Sequence, residues 1–255
     1  KSYNQPRRDQ HQQINQAARE LGMLVVEEGG STFHHNLPMI LDGATSIEHN
    51  LPVAPLYRDV IELWKHTDVR NTPTLVVSYG GLSGEYWWYA RDEVWQDDKL
   101  ARFFPRETLD ARSIRRETAP DWDYYHIEVA KAAKALRDAG VRIQVGGHGQ
   151  LQGMSVHWEI WSLVQGGFTP WEALRAGTID GVDLIGLGQA LGSIEAGKKA
   201  DLVVLNTNPL EDIRASADTR YVMVNGRLFD VDADMAEVGN RAVPARSFYW
   251  HRHRD

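Results

Sequence analysis

The order of predicted elements constrains the fold of this chain more than any other feature. Segments with helical spacing of apolar residues alternate with short apolar runs that end in polar residues or glycines. The helical segments are 7–22, 36–44, 56–67 and 124–140, and the apolar runs are 23–28, 45–50, 72–81 and 141–147. Because neighbouring parallel strands need a crossover, usually a helix, this order predicts an α/β fold built on a parallel sheet.

A long segment interrupts this order at about residues 79–123. It exceeds the usual length of a connection between a strand and a helix. Its runs GEYWWYARDEVW and DWDYY are too aromatic for a disordered linker. We therefore expect an ordered insertion that covers one end of the sheet.

The last third of the chain has a different character. Short helices are predicted after the last parallel strand, and one of them has Thr169 as its N-cap, Pro170 in its first turn and Glu172 completing a capping box. Further on, RYVMVNGRLFD places the dipeptide Asn225-Gly226 between two apolar runs, which is a strong hairpin signal. These late strands predict a small sheet that is separate from the parallel one.

Composition and charge exclude several classes of function. The 255 residues carry a formal net charge of −7, which argues against nucleic acid or an anionic membrane surface as a partner. No run of apolar residues is long enough to cross a bilayer, so no membrane span is expected. The sequence has no cysteine, which excludes disulfides and thiolate metal sites.

The most specific part of the sequence is EALRAGTIDGVDLIGLGQALGSIEAGKKADLVVLNTNPLEDI, followed by VMVNGRLFD. It resembles the C-terminal signature of the amidohydrolase superfamily, in particular the branch of imidazolonepropionase- and prolidase-like enzymes. The resemblance implies a metal-dependent hydrolase on a distorted (β/α)8 TIM-like barrel, with a small β-sandwich made from both ends of the polypeptide. Residues 1–190 would then form part of the barrel, and residues 191–255 part of the sandwich and a C-terminal tail.

The barrel implied by this resemblance is incomplete. The chain supplies about five βα units, which would correspond to about strands four to eight, and it lacks the His-x-His pair that ends the first strand in the family. A half-barrel would leave sheet edges and an uncovered core. We therefore expect the remaining strands to come from a second polypeptide or a longer precursor, and a homo-oligomer is also open.

The resemblance also assigns metal ligands. Hydrolysis of a carbonyl compound needs a cation to polarise the carbonyl and lower the pKa of water, and one or two zinc ions suit nitrogen and oxygen donors at the strand ends. His49, in SIEHN, has the position of the strand-six ligand. The strand-five ligand is either Glu28 or, if the chain bulges, His35. Lys1 stands where the family has a carboxylated, metal-bridging lysine, and a buried lysine with a lowered pKa would react in this way.

His148 follows the last predicted barrel strand, between Gly147 and Gly149. By resemblance, this is the position of the strand-eight aspartate, which touches the metal and receives the proton of the attacking water in the family. An imidazole here can bind metal or act as a base, and it can also be a loop histidine that bonds only to backbone. We expect His148 to be catalytic, as a metal ligand or as the proton acceptor.

Two further groups are candidates for catalysis or substrate binding. His157 lies on the helix after His148 and would face the mouth of the site, unless it is a hydrogen-bonded structural histidine. The aromatic run of the insertion, with Tyr86, Trp87 and Tyr89, would form a lid that shields the substrate from water, unless these rings only pack.

These features predict a metal-dependent hydrolase of amide-type C–N bonds, whose substrate is a small molecule or a peptide: a peptide, a lactam or a cyclic amide. The alternative is a degenerate, non-catalytic module that binds or scaffolds within a larger assembly, because the first-strand histidine pair and the shuttle aspartate are absent. Relatives with this kind of tail often belong to long exported proteins, so the resemblance implies a periplasmic or secreted location.

Overall fold

A parallel sheet lies at the centre of the computed structural model, which describes residues 1–239. Three strands form it, in the order β1 (Val26–Glu28), β2 (Ser46–Glu48) and β3 (Arg70–Thr72). The register pairs Glu28 with Glu48 and Glu48 with Thr72. Because paired residues of neighbouring strands point the same way, these polar side chains share one face of the sheet.

Further extended segments lie at both edges of this sheet. Ser2 forms a parallel bridge with Glu27 on β1, and Asn71 on β3 forms one with Ile143. The backbone N–H of Gln144 donates to the backbone carbonyl oxygen of Asn71 at 2.9 Å, as in regular parallel pairing. The extended segments therefore lie side by side in chain order, which is the order that a barrel of βα units requires.

Helices cover the other face of the sheet. Ile47 on β2 and Trp64 are fully buried there in one continuous hydrophobic core. None of the helices within residues 1–239 has the length and apolar character of a membrane span. In chain order they are α1 (Arg8–Glu20), α2 (Phe33–Leu41), α3 (Arg58–Lys65), α4 (Gly84–Arg91), α5 (Asp98–Phe103), α6 (Arg106–Ser113), α7 (His126–Asp138), α8 (Met154–Gln165), α9 (Pro170–Ala176) and α10 (Ile179–Leu184).

The segment at about 79–123, for which we expect an ordered insertion, contains α4, α5 and α6 with short 3-10 turns between them. Gly84, the first residue of α4, lies so close to the chain after β3 that a Cβ atom here would stand 2.7 Å from the carbonyl oxygen of Leu75. The missing side chain therefore lets the start of α4 lie against the end of the sheet.

The late strands form a separate antiparallel sheet. Its strands are β4 (Leu202–Leu205), β5 (Thr219–Val224), β6 (Arg227–Asp230) and β7 (Ala236–Glu237), in that order. Asn225 and Gly226 have φ angles of 50° and 79°, as a type I′ turn requires. The predicted hairpin is confirmed, and so is the capping box of Thr169 and Glu172 at the start of α9.

The parallel strands differ from the predicted runs in length and position. β3 (Arg70–Thr72) shares only Thr72 with the predicted run 72–81, because Thr74 has a left-handed backbone with a φ of 54° and Leu75–Val77 continue as a 3-10 helix. The run 141–147 forms a single bridge at Ile143 rather than a full strand. The chain therefore leaves regular pairing at the carboxyl edge of the sheet.

Helix α1 buries a polar face. Its apolar spacing predicts that Ile14 and Leu21 point inward, but Leu21 is 72% exposed, whereas His11 and Asn15 are buried. Glu27 on β1 is the reason, since Asn15 Nδ2 donates to its Oε1 at 2.8 Å and His11 Nδ1 lies 2.9 Å from its Oε2. A buried carboxylate needs polar neighbours, and α1 supplies a hydrogen bond from Asn15 and the adjacent ring of His11.

Asn71 connects β3 to the end of β2, because its Nδ2 donates to the carbonyl oxygens of Ile47 and His49, both at 2.9 Å. We expect Asn71→Ala to lower the free energy of unfolding by about 2–3 kcal/mol, since two buried carbonyls lose a donor. Urea unfolding measures this. The control is Gln16→Ala on the exposed side of α1, for which we expect a change within about 0.5 kcal/mol. Equal small changes in both variants would contradict the prediction.

Candidate active site

Three polar side chains meet where β1 and β2 end. Lys1 Nζ forms an ion pair with Oε2 of Glu28 at 2.5 Å, and His49 Nε2 lies 2.8 Å from Oε1 of the same carboxylate. Glu28 is the last residue of β1, and His49 directly follows β2. His49 has a φ of 70°, in the left-handed region of the backbone. The side chains therefore stop alternating between the two faces of the sheet at His49, and its ring contacts Glu28.

Two aromatic side chains flank the His49 ring. The ring centroid of Tyr79 lies 5.2 Å from that of His49, and the centroid of His148 lies 5.3 Å from it. Of the predicted site residues, the structure therefore brings together Lys1, Glu28, His49 and His148, which we call the strand-end cluster. It lies at the carboxyl ends of parallel strands, where α/β barrels carry their active sites.

The charges within the strand-end cluster depend on Glu28. Burial acts to raise the pKa of Glu28, but hydrogen bonds from Lys1 and His49 outweigh it, and the pKa lies below its ordinary value. Burial lowers the pKa of His49 in spite of Glu28, so its imidazole is neutral at pH 7. Burial also acts to lower the pKa of Lys1, but Glu28 outweighs it and the pKa is raised.

Lys1 lacks the burial and the lowered pKa on which its predicted carboxylation was based. The Lys1 side chain is 42% exposed, so it is not the buried amine with a lowered pKa on which we based its carboxylation. Carboxylation of Lys1 stays a prediction, but that physical reason for it is wrong, because Glu28 stabilises the ammonium form.

The donors of the cluster fit a divalent metal in chemistry and only in part in geometry. A carboxylate and two imidazoles are ligands that zinc takes, and Nδ1 of His49 is buried without a hydrogen-bond partner. Within residues 1–239, however, no group of three or more histidine, aspartate or glutamate side chains is placed to hold a metal ion. The cluster therefore fits a share of a metal site, with further ligands needed to complete it.

A second carboxylate, missed in the sequence, lies beside the cluster. Glu48 is the register partner of Glu28, so both side chains point to the same face of the sheet. Its Oε1 accepts hydrogen bonds from Ser46 Oγ at 2.7 Å and from Thr72 Oγ1 at 3.1 Å. Burial raises the pKa of Glu48. The strand register is the signal that would have found it.

The insertion reaches the cluster through Glu85 and Gln150. Gln150 Oε1 lies 3.1 Å from Nδ1 of His148, and Gln150 Nε2 donates to Oε1 of Glu85 at 3.0 Å. Arg112 on α6 forms an ion pair with Oε2 of Glu85. Burial raises the pKa of Glu85, and Arg112 acts against it. Glu85 and Gln150 were not predicted from the sequence, because only the folded chain brings these distant positions together.

The aromatic run of α4 packs rather than covering the cluster. Tyr89 is 3% exposed and its ring lies 5.1 Å from that of Trp158. Trp87 packs against Trp88 at 4.5 Å between ring centroids. The lid that we expected from Tyr89 is therefore wrong, because the core of the insertion takes up this ring. Substrate contacts by Tyr86 and Trp87, which are half-buried on the same helix, stay predictions.

His35 lies apart from the strand-end cluster. It is on α2, and its ring contacts His11 at 5.3 Å between centroids. Nδ1 of His11 in turn lies 2.9 Å from Oε2 of Glu27, whose side chain points to the helical face of the sheet. Of the two candidates for the strand-five ligand, the structure therefore brings Glu28 and not His35 to His49, because α2 holds the His35 ring against His11.

His157 also lies apart from the cluster. Its Nδ1 is 3.1 Å from Ser216 Oγ, and its ring packs near Trp161. It lines a cavity of about 670 Å³ between the insertion, α8 and the small sheet. Burial lowers its pKa. The expectation that His157 faces the mouth of the site is wrong, because the turn of α8 that carries it points toward the small sheet.

Glu159, two residues further along α8, lies between the chain after β3 and the chain after Ile143. It is fully buried, and its Oε1 accepts a hydrogen bond from the backbone N–H of Val76 at 2.6 Å. The backbone N–H groups of Leu75 and Gly146 also act on this carboxyl group and lower its pKa. Burial raises the pKa of Glu159 to about 8. The carboxyl group thus holds the chain after β3 against the loop that carries His148.

The sequence profile described as the amidohydrolase family matches residues 11–229. The chain belongs to the amidohydrolase family. The resemblance found in the tail is thereby confirmed, and members of this family generally use divalent metals and hydrolyse C–N bonds.

Curated relatives match short parts of this amidohydrolase chain. A 5'-deoxyadenosine deaminase of Methanobrevibacter smithii is 39% identical over 67 residues, which cover 26% of the chain and 15% of the relative. Ochratoxinase of Aspergillus niger is 32% identical over 103 residues, 39% of the chain and 22% of the relative. An s-triazine hydrolase of Gordonia rubripertincta is 36% identical over 70 residues, 23% of the chain and 15% of the relative.

Solved structures match most of the chain. A Xaa-Pro dipeptidase with bound methionine superposes with a TM-score of 0.62 at 21% identity, over 88% of this chain and 49% of the other. A prolidase complexed with N-methylphosphonate-L-proline gives 0.61 at 22% identity, over 88% and 49%. The chain spans about half the length of these structures. It therefore has part of a TIM-barrel-type fold, and its assignment to strands four to eight stays a prediction.

The raised pKa of Glu159 predicts a pH dependence of stability. The folded state keeps a proton up to about pH 8 that the unfolded state releases near pH 4.5, so this contribution is complete below pH 4.5 and is lost as the pH rises to 8. Glu159→Gln cannot ionise and should remove it.

We therefore expect the free energy of unfolding of the wild type to fall relative to Glu159→Gln by up to about 4 kcal/mol between pH 5 and pH 8, since one proton is worth about 1.4 kcal/mol per pH unit. Urea unfolding at both pH values measures the difference. Glu128→Gln on the exposed side of α7 is the control, and parallel curves for wild type and Glu159→Gln would contradict the prediction.

Proposed function

We propose that this chain is the carboxyl-terminal half of the catalytic barrel of a metal-dependent hydrolase that cleaves amide-type C–N bonds in a peptide, a lactam or a cyclic amide. The observation that carries the proposal is the strand-end cluster, in which Lys1, Glu28, His49 and His148 converge from four separate segments of the chain. Ionisable groups that converge at the carboxyl ends of parallel strands are typical of a functional site.

Glu28 and His49 are the residues that we propose as metal ligands, with Lys1 as a third if it is carboxylated. A bound divalent cation would polarise the scissile carbonyl and lower the pKa of the attacking water. The orphaned, buried Nδ1 of His49 and the charge of Glu28 support this role, since both are poised to donate electron pairs. We propose zinc because imidazole and carboxylate are among its usual ligands.

His148 has the second role in this proposal. Its ring adjoins His49, and its Nε2 makes no hydrogen bond within residues 1–239, so it is free to bind metal or to accept a proton. An open cavity of about 290 Å³ adjoins the same loop and is lined by Phe104, Pro105, Thr108 and residues 149–152. We propose that the substrate approaches His148 from this cavity.

The missing ligands belong to the other half of the barrel in this proposal. The chain spans about half the length of the solved structures that it resembles. Gln144, at the edge of the sheet, is 2% exposed, and neither atom of its amide has a partner within residues 1–239. The half-length match is what supports strands supplied by a second polypeptide or a longer precursor, because the buried amide of Gln144 is already enclosed by the described residues.

The first test of the proposal is zinc uptake. His49→Ala should weaken zinc binding at least roughly tenfold, because the protein loses a ligand and leaves Glu28 without its neighbour. Plasma emission spectrometry after dialysis against zinc measures the content of the purified protein. His66→Ala, which removes an exposed histidine at the end of α3, is the matched control and should keep the wild-type content. Equal zinc in wild type and His49→Ala would show that the ligand assignment is wrong.

The second test separates the two roles of His148. We expect His148→Ala to lower kcat at least roughly 100-fold on whichever dipeptide, lactam or cyclic amide the wild type cleaves. If His148 is a ligand, zinc content falls as well; if it is only the proton acceptor, zinc content stays. Activity at the wild-type level would make His148 an ordinary loop histidine.

A non-catalytic binding module is the second candidate. The ion pair of Lys1 with Glu28 and the lack of a three-ligand group within residues 1–239 favour it. The same zinc assay separates the two proposals, because a module of this kind would take up no zinc in either the wild type or the His49 variant.

A further inference from the structure

We propose that Gln150 and Glu85 are positioning residues that set the tautomer of His148, so that Nδ1 carries the proton and Nε2 presents the lone pair. The inference rests on the proposed function, in which His148 acts through that lone pair. It assigns to the insertion a task that its aromatic residues do not perform, namely orienting a candidate catalytic imidazole.

The hydrogen-bond chemistry of the three side chains carries the argument. An ionised carboxylate only accepts hydrogen bonds, so the Gln150 group that faces Glu85 at 3.0 Å has to be the amide nitrogen. The amide oxygen of Gln150 then faces Nδ1 of His148 at 3.1 Å. An amide oxygen also only accepts, so Nδ1 has to carry the hydrogen. In a neutral imidazole the other nitrogen, Nε2, then holds the lone pair.

Arg112 favours the ionised form of Glu85, the first group of this chain of hydrogen bonds, against the effect of its burial. Its guanidinium pairs with Oε2 of Glu85, leaving Oε1 for Gln150. A guanidinium stays charged at any pH at which the protein is folded, and it can only donate. The side-chain amide of Gln150 therefore has one favourable orientation. With its oxygen and nitrogen exchanged, the oxygen would face the carboxylate of Glu85, and the nitrogen would face the N–H of His148.

The position of Glu85 makes the arrangement rigid. It is 3% exposed and is the second residue of α4. The start of this helix lies against the Leu75 carbonyl because Gly84 has no side chain. The start of α4 and the ion pair with Arg112 therefore hold the Glu85 carboxylate in place. His148 lies in a loop with a positive φ of 52°, so its position depends on contacts such as the one with Gln150.

The hydrogen bond at Nδ1 determines which ring nitrogen of His148 is available for reaction. With Nδ1 bonded to Gln150, Nε2 is the nitrogen that remains for a metal ion or a proton. The arrangement resembles the carboxylate–histidine pairs that orient catalytic imidazoles, with a glutamine amide inserted between the two groups.

Nuclear magnetic resonance of 15N-histidine-labelled protein tests the inference without metal or substrate. Long-range 1H–15N spectra, at a pH where the ring is neutral, distinguish a protonated from an unprotonated ring nitrogen, and the spectrum of His148→Gln assigns the signal. We expect Nδ1 to be protonated in the wild type. In Gln150→Leu we expect the preference to be lost, and in Glu85→Gln a mixture, because a glutamine can turn either end of its amide to Gln150.

The matched control is Glu93→Gln, which removes another carboxylate of the insertion that is paired with an arginine, Arg116, and should leave the His148 signals unchanged. Unchanged His126 signals confirm that each variant folds. If Gln150→Leu does not fold, the isosteric Glu85→Gln tests the inference in its place. A wild type protonated at Nε2, or a Gln150→Leu spectrum identical to the wild type, would overturn the inference.

These outcomes are separable from those of the proposed function. A protein that binds no zinc and yet has a protonated Nδ1 on His148 would support the tautomer assignment and contradict the proposed function. A zinc-dependent hydrolase whose His148 is protonated at Nε2 would overturn the tautomer assignment alone.

Discussion

The Glu28 carboxylate is the interaction on which the candidate site depends. One oxygen bonds to Lys1 and the other to His49, so a single side chain connects the first residue of the chain, β1 and the end of β2. Its charge determines the state of its neighbours, because it raises the pKa of Lys1 and opposes the effect of burial on His49. This geometry exists only because the parallel register places the ends of β1 and β2 at the same edge.

Other buried carboxylates connect the sheet to its surroundings in the same way. Glu27 accepts a hydrogen bond from Asn15 and lies 2.9 Å from Nδ1 of His11, both on α1, and its burial raises its pKa to about 7. Glu159 accepts a hydrogen bond from the backbone of the chain after β3. Because each carboxylate loses hydration on burial, each needs a specific set of donors, and a specific set is met in only one arrangement of helices and strands. Polar groups thus determine how helices dock on this sheet.

Sequence reasoning succeeded where the signal is local or extends over a long, ordered motif. The hairpin at Asn225-Gly226, the capping box of α9 and the membership of the amidohydrolase family are confirmed. It failed where the outcome depends on which face of a helix is buried. The apolar spacing of α1 and the aromatic run of α4 both predict the wrong exposure, because partners distant in sequence decide it.

By itself, the sequence determined the family, the alternation of helices with parallel strands, and His49, Glu28, His148 and Lys1 as residues near strand ends. Only the tertiary structure decided that Glu28 rather than His35 meets His49, that His157 faces another cavity, and that the insertion acts on His148 through Glu85 and Gln150. The physical reason is that hydrogen bonds and charge pairs act over a few ångströms, whereas their partners lie far apart along the chain. Pattern and motif describe neighbours in sequence, and register and packing select the neighbours in space.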